Sequence, residues 1–211
     1  MTVIPEEDAE LLREIFDEKM RSDVEVLLFI KREDSSSDEA EKLLKELSAL
    51  SPKISLQVYD FDKDREAVER YGISRVPAVT IIGEKDYGIR YYGVPFEQEF
   101  ETLIEWLISV SRGDVDLSPE TLKRLEELEE DKKLTVLVTY ACPQCPEVAQ
   151  RVIEFAVASD NISVDIIDIF EFPEVKKDFP VLVSTPKIFA GNKTLTGWRG
   201  SDEGALLELI K

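Results

Sequence analysis

The sequence predicts an α/β protein made of two consecutive units, each a mixed β-sheet flanked by helices. Three observations lead to this expectation. Short runs of alternating or β-branched apolar residues recur with amphipathic helical segments between them. The order of elements in the first half of the chain is repeated in the second half. Each half also ends in a hairpin and a helix, which adds antiparallel strands to a parallel strand–helix–strand pair.

The first unit is expected to span residues 1–115. Its helices have apolar residues three and four positions apart, whereas its strands alternate or are rich in β-branched residues. In chain order we expect a helix (Glu6–Lys19), a strand (Val24–Ile30), a helix (Asp38–Leu50), a strand (Ile54–Asp60), a helix (Arg65–Tyr71), the segment Ser74–Ile82, a strand (Ile89–Tyr92) and a helix (Phe96–Ser111).

The second unit is expected to span residues 116–211, after the polar joint Ser111–Ser118. Docking of the two units, with one continuous sheet as an option, would bury surface that neither buries alone. The expected elements are a helix (Pro119–Glu130), a strand (Leu134–Tyr140), a helix (Pro146–Ser159), a strand (Ile162–Asp168), a short helical segment (Glu174–Phe179), the segment Val183–Phe189, a strand (Lys193–Gly197) and a helix (Asp202–Ile210).

Composition excludes several kinds of partner. The 211 residues include 26 basic and 45 acidic side chains, for a formal charge of −19. Such a surface repels phosphate backbones and anionic lipids, so we expect no nucleic-acid and no membrane partner. The acidic N-terminus lacks the order of a signal peptide, and no apolar run approaches the ~20 residues of a membrane span. We therefore expect a cytoplasmic protein.

The two cysteines, Cys142 and Cys145, are three positions apart in a chain without histidine. A structural zinc site normally needs four cysteine or histidine ligands, which one chain cannot supply here. A disulfide closing so short a loop would restrain the unfolded chain little. The third interpretation is a redox-active pair. In a cytosolic protein, a disulfide between two such cysteines is more often catalytic or transient than structural.

The surroundings of the pair favour redox chemistry. Cys142 follows a buried strand and opens a helix, where unpaired N–H groups and the helix dipole favour a thiolate. Thiolates at such positions have pKa values of about 3.5–7.5. Pro143 suits the first helical turn, since its missing N–H costs nothing there. Cys145, one turn further on, would resolve a mixed disulfide formed at Cys142.

The segment Cys142-Pro143-Gln144-Cys145 resembles the active-site motif of the thioredoxin/glutaredoxin superfamily. Thr185-Pro186 is similar to its cis-proline element, and Thr194–Asp202 to the glycines and acids before the last helix of glutaredoxins. The resemblance implies a thioredoxin-like fold for each unit. It also implies four substrate-contacting positions, Pro143, Gln144, Thr185 and Pro186.

Two such units in one acidic chain resemble the protein disulfide oxidoreductases of thermophilic archaea and bacteria. The N-terminal tandem module of the flavin-containing alkyl hydroperoxide reductases is a second family similar in form, with a dithiol only in its second unit. This chain departs from the two-dithiol pattern, since Ser35 and Asp38 are expected where the first unit would carry cysteines. The first unit should therefore be redox-inactive.

The strand before the dithiol also lacks the buried acid of thioredoxins. Asp168 and Glu171 follow the next strand, and residues so placed are more often solvated, so we assign them no catalytic role. We expect thiol–disulfide exchange on protein disulfides, with a thioredoxin-reductase-like external electron donor. No metal, flavin or nucleotide cofactor is expected, because no glycine-rich G-x-G-x-x-G turn is present. The alternatives are an electron relay dedicated to a peroxidase or flavoprotein reductase, and a non-catalytic peptide-binding module.

Overall fold

A computed structural model describes residues 2–179, 184–196, 198 and 202–211. None of the helices in these ranges is long and apolar enough to cross a bilayer. The first half of the chain contains α1 (Glu6–Lys19), β1 (Val24–Ile30), α2 (Ser35–Ser48), β2 (Ile54–Asp60), α3 (Arg65–Arg70), β3 (Ala78–Ile82), β4 (Ile89–Tyr92) and α4 (Gln98–Arg112).

The second half repeats this order, with a 3₁₀ helix in the place of α3. Its elements are α5 (Pro119–Glu126), β5 (Lys132–Val138), α6 (Cys145–Ala158), β6 (Ile162–Asp168), a 3₁₀ helix (Pro173–Lys177), β7 (Lys187–Ala190), β8 (Lys193–Thr196) and α7 (Glu203–Ile210). The expected segment from Val183 and the expected strand end at Gly197 extend outside the described residues.

The described strands form one mixed sheet in the order β2-β1-β3-β4-β6-β5-β7-β8. Within each unit a parallel pair is extended by an antiparallel hairpin, which confirms the predicted fold class. The units join where β4 runs parallel to β6, with Tyr91 opposite Ile166. Edge-to-edge docking in a continuous sheet is therefore the arrangement adopted. The division at residues 115 and 116 into separate domains stays a prediction.

Glycines bracket the joining strand β4. A Cβ atom on Gly88 would lie 3.3 Å from Ser163, and one on Gly93 would lie 3.0 Å from Asp168. Gly93 also has a φ of 125°, which side chains rarely adopt. Both positions therefore allow the backbone of the first unit to approach β6 of the second closely.

The two faces of the sheet are covered unequally. One face carries the main core, formed with α1, α2, α4, α5, α6 and α7, whereas the other packs against α3 and the 3₁₀ helix. On the thicker side, α4 of the first unit packs against α6 of the second. This helix pair places residues of both units beside the cysteines.

Several helix and strand bounds differ from expectation by one to four residues. α5 ends four residues earlier, at Glu126, and β5 runs from Lys132 to Val138, two residues earlier than expected. α2 begins at Ser35 rather than Asp38 because Asp34 is its N-cap, with the carboxylate accepting the N–H of Ser37 at 2.9 Å. The first-turn serines are therefore inside the helix and are not its caps.

Candidate active site

The two cysteines lie at the edge of the sheet formed by the ends of β5 and β6. Both are free thiols, with Cys142 8% exposed and Cys145 fully buried. Cys142 donates its N–H to the carbonyl of Thr139 at 3.0 Å and accepts the N–H of Cys145 at 3.2 Å. The dithiol is thus held in a tight turn, with one sulfur nearer the surface.

The helix α6 begins at Cys145, so Cys142 and Pro143 precede it rather than open it. Pro146 accounts for a helix start at Cys145 rather than at Cys142, because it has no N–H to donate to the carbonyl of Cys142. The expected placement of Pro143 in the first helical turn is therefore wrong. Pro143 and Gln144 instead lie exposed in the turn between the two cysteines.

Thr185 and Pro186, which we expect to contact the substrate, lie at the same edge of the sheet as the cysteines. The Thr185–Pro186 peptide bond is cis, as the resemblance implied, and so is Val76–Pro77 in the first unit. The Thr185 hydroxyl lies 3.4 Å from the hydroxyl of Thr139, at the base of the cysteine turn. Pairing of Lys187 with Leu137 keeps this segment beside the end of β5.

Burial and the neighbouring Cys142 sulfur both raise the pKa of the Cys145 thiol. A backbone N–H from Thr139 acts in the opposite direction, and the charge of Glu99 raises the pKa further. A hydrogen bond between the two sulfurs keeps the proton on Cys145. The resolving cysteine must therefore lose a strongly held proton before it can attack a mixed disulfide.

Glu99, in the first turn of α4, is a carboxylate whose charge acts on the Cys145 thiol. Its side chain is fully buried, and burial raises its pKa to about 7, with the Asp168 carboxylate adding to the increase and the Thr102 hydroxyl opposing it. Neither carboxylate oxygen has a hydrogen-bond partner among the residues described. Burial is the main cause of the raised pKa of Tyr91, and the charges of Glu99 and Cys145 raise it further. The three groups are therefore neighbours.

Sequence reasoning missed Glu99. The resemblance to thioredoxins implies an acid in the strand before the dithiol, within the same unit, whereas Glu99 lies in α4 of the other unit. A signal was present, since Glu99 occupies the same helical face as the buried Leu103, Trp106 and Val110. A carboxylate on an apolar helical face is expected to be buried, and a buried carboxylate with a raised pKa is a candidate functional group.

Asp168 is buried as well, with 1% of its surface exposed, so its expected solvation is wrong. Burial raises the pKa of its carboxyl group, while the N–H groups of Phe170, Glu171 and Tyr140 oppose the increase. Glu171 is exposed. Asp168 thereby ties the end of β6 to the start of the cysteine turn.

The first unit has a site of the same shape without thiols. A shift of 108 residues superposes the pairing of β1 with β2 on that of β5 with β6, and places Asp34 and Ser37 at the positions of Cys142 and Cys145. The Ser37 hydroxyl accepts the N–H of Lys31 at 3.1 Å, as Cys145 does from Thr139. The expected equivalents Ser35 and Asp38 are therefore displaced by one residue.

Comparison with known proteins agrees with this geometry. Residues 132–210 match the family model described as a thioredoxin domain. The NTD_N/C domain of alkylhydroperoxide reductase AhpF from Enterococcus faecalis superposes with a TM-score of 0.88 at 25% identity, covering 98% of this chain and 99% of that one. A protein disulfide oxidoreductase from Aeropyrum pernix superposes with a TM-score of 0.87 at 22% identity, covering 100% and 93%.

The chain therefore has a tandem thioredoxin fold, and its second unit matches the thioredoxin-domain model. Among curated proteins, the AhpF component of alkyl hydroperoxide reductase from Staphylococcus aureus (strain Mu50) is 24% identical over 176 residues, which is 83% of this chain. This tandem thioredoxin-fold chain spans about a third of the length of that relative, 32%. Across the ranges that the structure describes, no group of three or more acidic or cysteine side chains could hold a metal ion.

Proposed function

We propose that this tandem thioredoxin-fold protein reduces or exchanges protein disulfides through Cys142 and Cys145. The observation that carries the proposal is the arrangement of the dithiol. Cys142 is near the surface, whereas Cys145 is buried with a proton held close to the carboxylate of Glu99. This division matches the two steps of thiol–disulfide exchange, in which one sulfur must meet the substrate and the other must not.

In the first step the Cys142 thiolate attacks one sulfur of the substrate disulfide. The S–S bond of the substrate breaks, one substrate sulfur leaves as a thiolate and takes up a proton, and the other is bound to Cys142. Exposed Pro143 and Gln144 and the cis Thr185–Pro186 segment flank the attacking sulfur. We assign these four residues to contact with the substrate chain.

In the second step Cys145 attacks the sulfur of Cys142. Its proton passes to Glu99, and the second substrate thiolate leaves as the intramolecular disulfide forms. A carboxylate with a pKa of about 7 is suited to this transfer, because a general base works best when its pKa is near the working pH. The balance is one dithiol and one substrate disulfide giving one protein disulfide and two substrate thiols, and an external dithiol donor must restore the starting state.

A Cys145→Ser variant tests this sequence of steps. Without the resolving thiol, mixed disulfides with Cys142 should accumulate and be released by dithiothreitol. The Cys142→Ser variant is the matched control, and it should trap far less because its remaining thiol is buried. Equal trapping by both variants, or none by either, would contradict the proposed order of attack.

A second candidate is a relay that passes electrons to a peroxidase from a flavoprotein reductase. It is favoured by the likeness to the AhpF proteins, which extends over nearly the whole of this chain. Under this proposal one protein should dominate the trapped species. A broad set of trapped proteins would instead support general disulfide reduction.

A further inference from the structure

Beside the cysteine turn, α4 and α6 enclose a pocket of about 280 Å³ that combines residues of both units. Pro143 and Pro146 form the side next to the dithiol. Three carboxylates, on Glu101, Glu105 and Glu147, also line it, and no lysine or arginine is among its described lining residues. Side chains that accept hydrogen bonds therefore surround a space that opens next to the reactive sulfur.

The carboxylates of this pocket are largely free to bind a cation. Neither Glu101 nor Glu147 forms an ion pair within the described part of the chain, and Glu105 meets only Lys19, at 3.9 Å between half-exposed groups. A pair that long and that exposed contributes little. The negative charge of the pocket is thus not neutralised by the protein itself.

Two uncharged groups of the pocket also lack partners. Thr102 is 2% exposed, and its hydroxyl lies near the Glu99 carboxylate but makes no hydrogen bond of ordinary geometry in the described structure. The side-chain oxygen of Gln150 is likewise unpaired, although its amide nitrogen donates to Ser109 at 3.3 Å and to Glu154 at 3.1 Å. Buried polar groups in proteins are normally hydrogen-bonded, so unpaired ones lining a cavity indicate a ligand that donates.

The acidic lining of this pocket does not simply follow from the net negative charge of the chain. A pocket near the C-terminus is lined by Lys132, Lys133, Lys193 and Lys211, with Asp131 as its one carboxylic side chain among the described lining residues. Local placement of charge therefore differs between pockets of the same molecule.

We propose that the pocket between α4 and α6 binds an arginine side chain of the partner whose disulfide or dithiol reacts at Cys142. This rests on the proposed function and names a class of substrate for it. A guanidinium group carries five N–H donors and no acceptor, which fits a cavity lined by carboxylates and unpaired oxygens. Because Pro143 lines the pocket and adjoins Cys142, the arginine lies within a few residues of the reactive cysteine of the partner.

The test uses three peptides that contain the same disulfide and differ at one position two residues from the attacked cysteine, with arginine, glutamine or glutamate there. The intact wild-type protein is expected to reduce the arginine peptide with a kcat/KM at least fivefold above that of the glutamine peptide, and the glutamate peptide most slowly. Equal values for the arginine and glutamine peptides would overturn the proposal. Turnover of the glutamine peptide separately reports the disulfide-reducing function, whose loss would be seen as no reduction of any peptide.

The double variant Glu101→Gln, Glu147→Gln should reduce the arginine preference to twofold or less. Glu126→Gln, Glu129→Gln removes the same charge at exposed positions outside the pocket and should keep the full preference. Equal losses in the two variants would show a long-range effect of net charge and overturn the pocket. Thermal unfolding checks that the first variant is folded, and the single Glu101→Gln variant serves if it is not.

Discussion

Two places on the same edge of the sheet have nearly the same backbone and different chemistry. At Cys145 a buried sulfur accepts the N–H of Thr139, and at Ser37 a buried hydroxyl accepts the N–H of Lys31. A serine alkoxide is inaccessible near neutral pH and cannot form a disulfide, so only one of the two sites can exchange electrons. The comparison teaches that the local scaffold is not sufficient for redox activity.

The unit without cysteines nevertheless contributes to the surroundings of the dithiol in the other unit. Glu99 belongs to α4 of the first unit and is buried beside Cys145 of the second. Pairing of β4 with β6 and packing of α4 on α6 bring it there. We infer that the first unit contributes proton transfer rather than a second dithiol.

The largest expected difference between the two sites is the loss of activity when the Cys142 sulfur or the Ser37 hydroxyl is removed. Cys142→Ser should lower disulfide-reducing activity by a factor of 10³ or more, because no other accessible sulfur is present among the cysteines. Ser37→Ala should change it by less than twofold. A reductase-coupled turnover assay measures both, and strong loss in the Ser37→Ala variant would show that the first site takes part in the chemistry.

Glu99→Gln should slow the resolving step by about 10²-fold, within the usual range for loss of a general base. The wild-type rate of resolution should rise as pH increases through about 7, where Glu99 becomes a carboxylate, and the variant should lose this dependence. Rapid-mixing measurements of mixed-disulfide decay give the rate at each pH. An unchanged pH profile would remove Glu99 from the mechanism, and exposed Glu126→Gln is the control.

The same variant should be more stable than the wild type at high pH. The pKa of Glu99 is about 7 in the folded protein and about 4.5 when unfolded, so the folded state binds its proton more tightly. The free energy of unfolding should therefore fall as pH rises from about 4.5 through 7, by on the order of 3 kcal/mol. Denaturant unfolding of Glu99→Gln at pH 4 and pH 8 should show a gain at pH 8 only.

The alignment of the two sites can be tested by placing thiols in the first unit. In a background without Cys142 and Cys145, Asp34→Cys with Ser37→Cys should give one reactive and one protected thiol, because Ser37 is fully buried. The pair Ser35→Cys with Asp38→Cys should give two reactive thiols, since both positions are exposed. Alkylation rates that differ less than tenfold within the first pair would refute the shift of 108 residues.

The smallest expected effect concerns the helix cap that replaces the attacking cysteine. Asp34→Ala removes the hydrogen bond to the N–H of Ser37 and should lower the free energy of unfolding by about 1 kcal/mol. Activity should remain within twofold of the wild type. Asp34→Asn keeps a capping oxygen and should lose little stability, so equal losses in the two variants would argue against capping.

Much of this protein follows from its sequence alone. Local patterns are enough to predict the alternation of strands and helices, because side-chain periodicity differs between the two. Cys142 and Cys145 follow a strand directly, and Pro186 lies downstream. This order predicted that the dithiol lies where a strand ends and a helix begins. Because Cys142 and Cys145 are only three positions apart, the sequence also predicted that both lie on one turn.

Tertiary structure alone decided the rest. The pairing of β4 with β6 depends on which edges of two units meet, and no local pattern encodes that choice. Asp34, rather than a serine, caps α2, since capping depends on where the chain turns after β1. Glu99, the proposed proton acceptor, lies 46 residues before Cys145 in the sequence, and the burial that raises its pKa to about 7 is a property of the folded chain rather than of a local pattern.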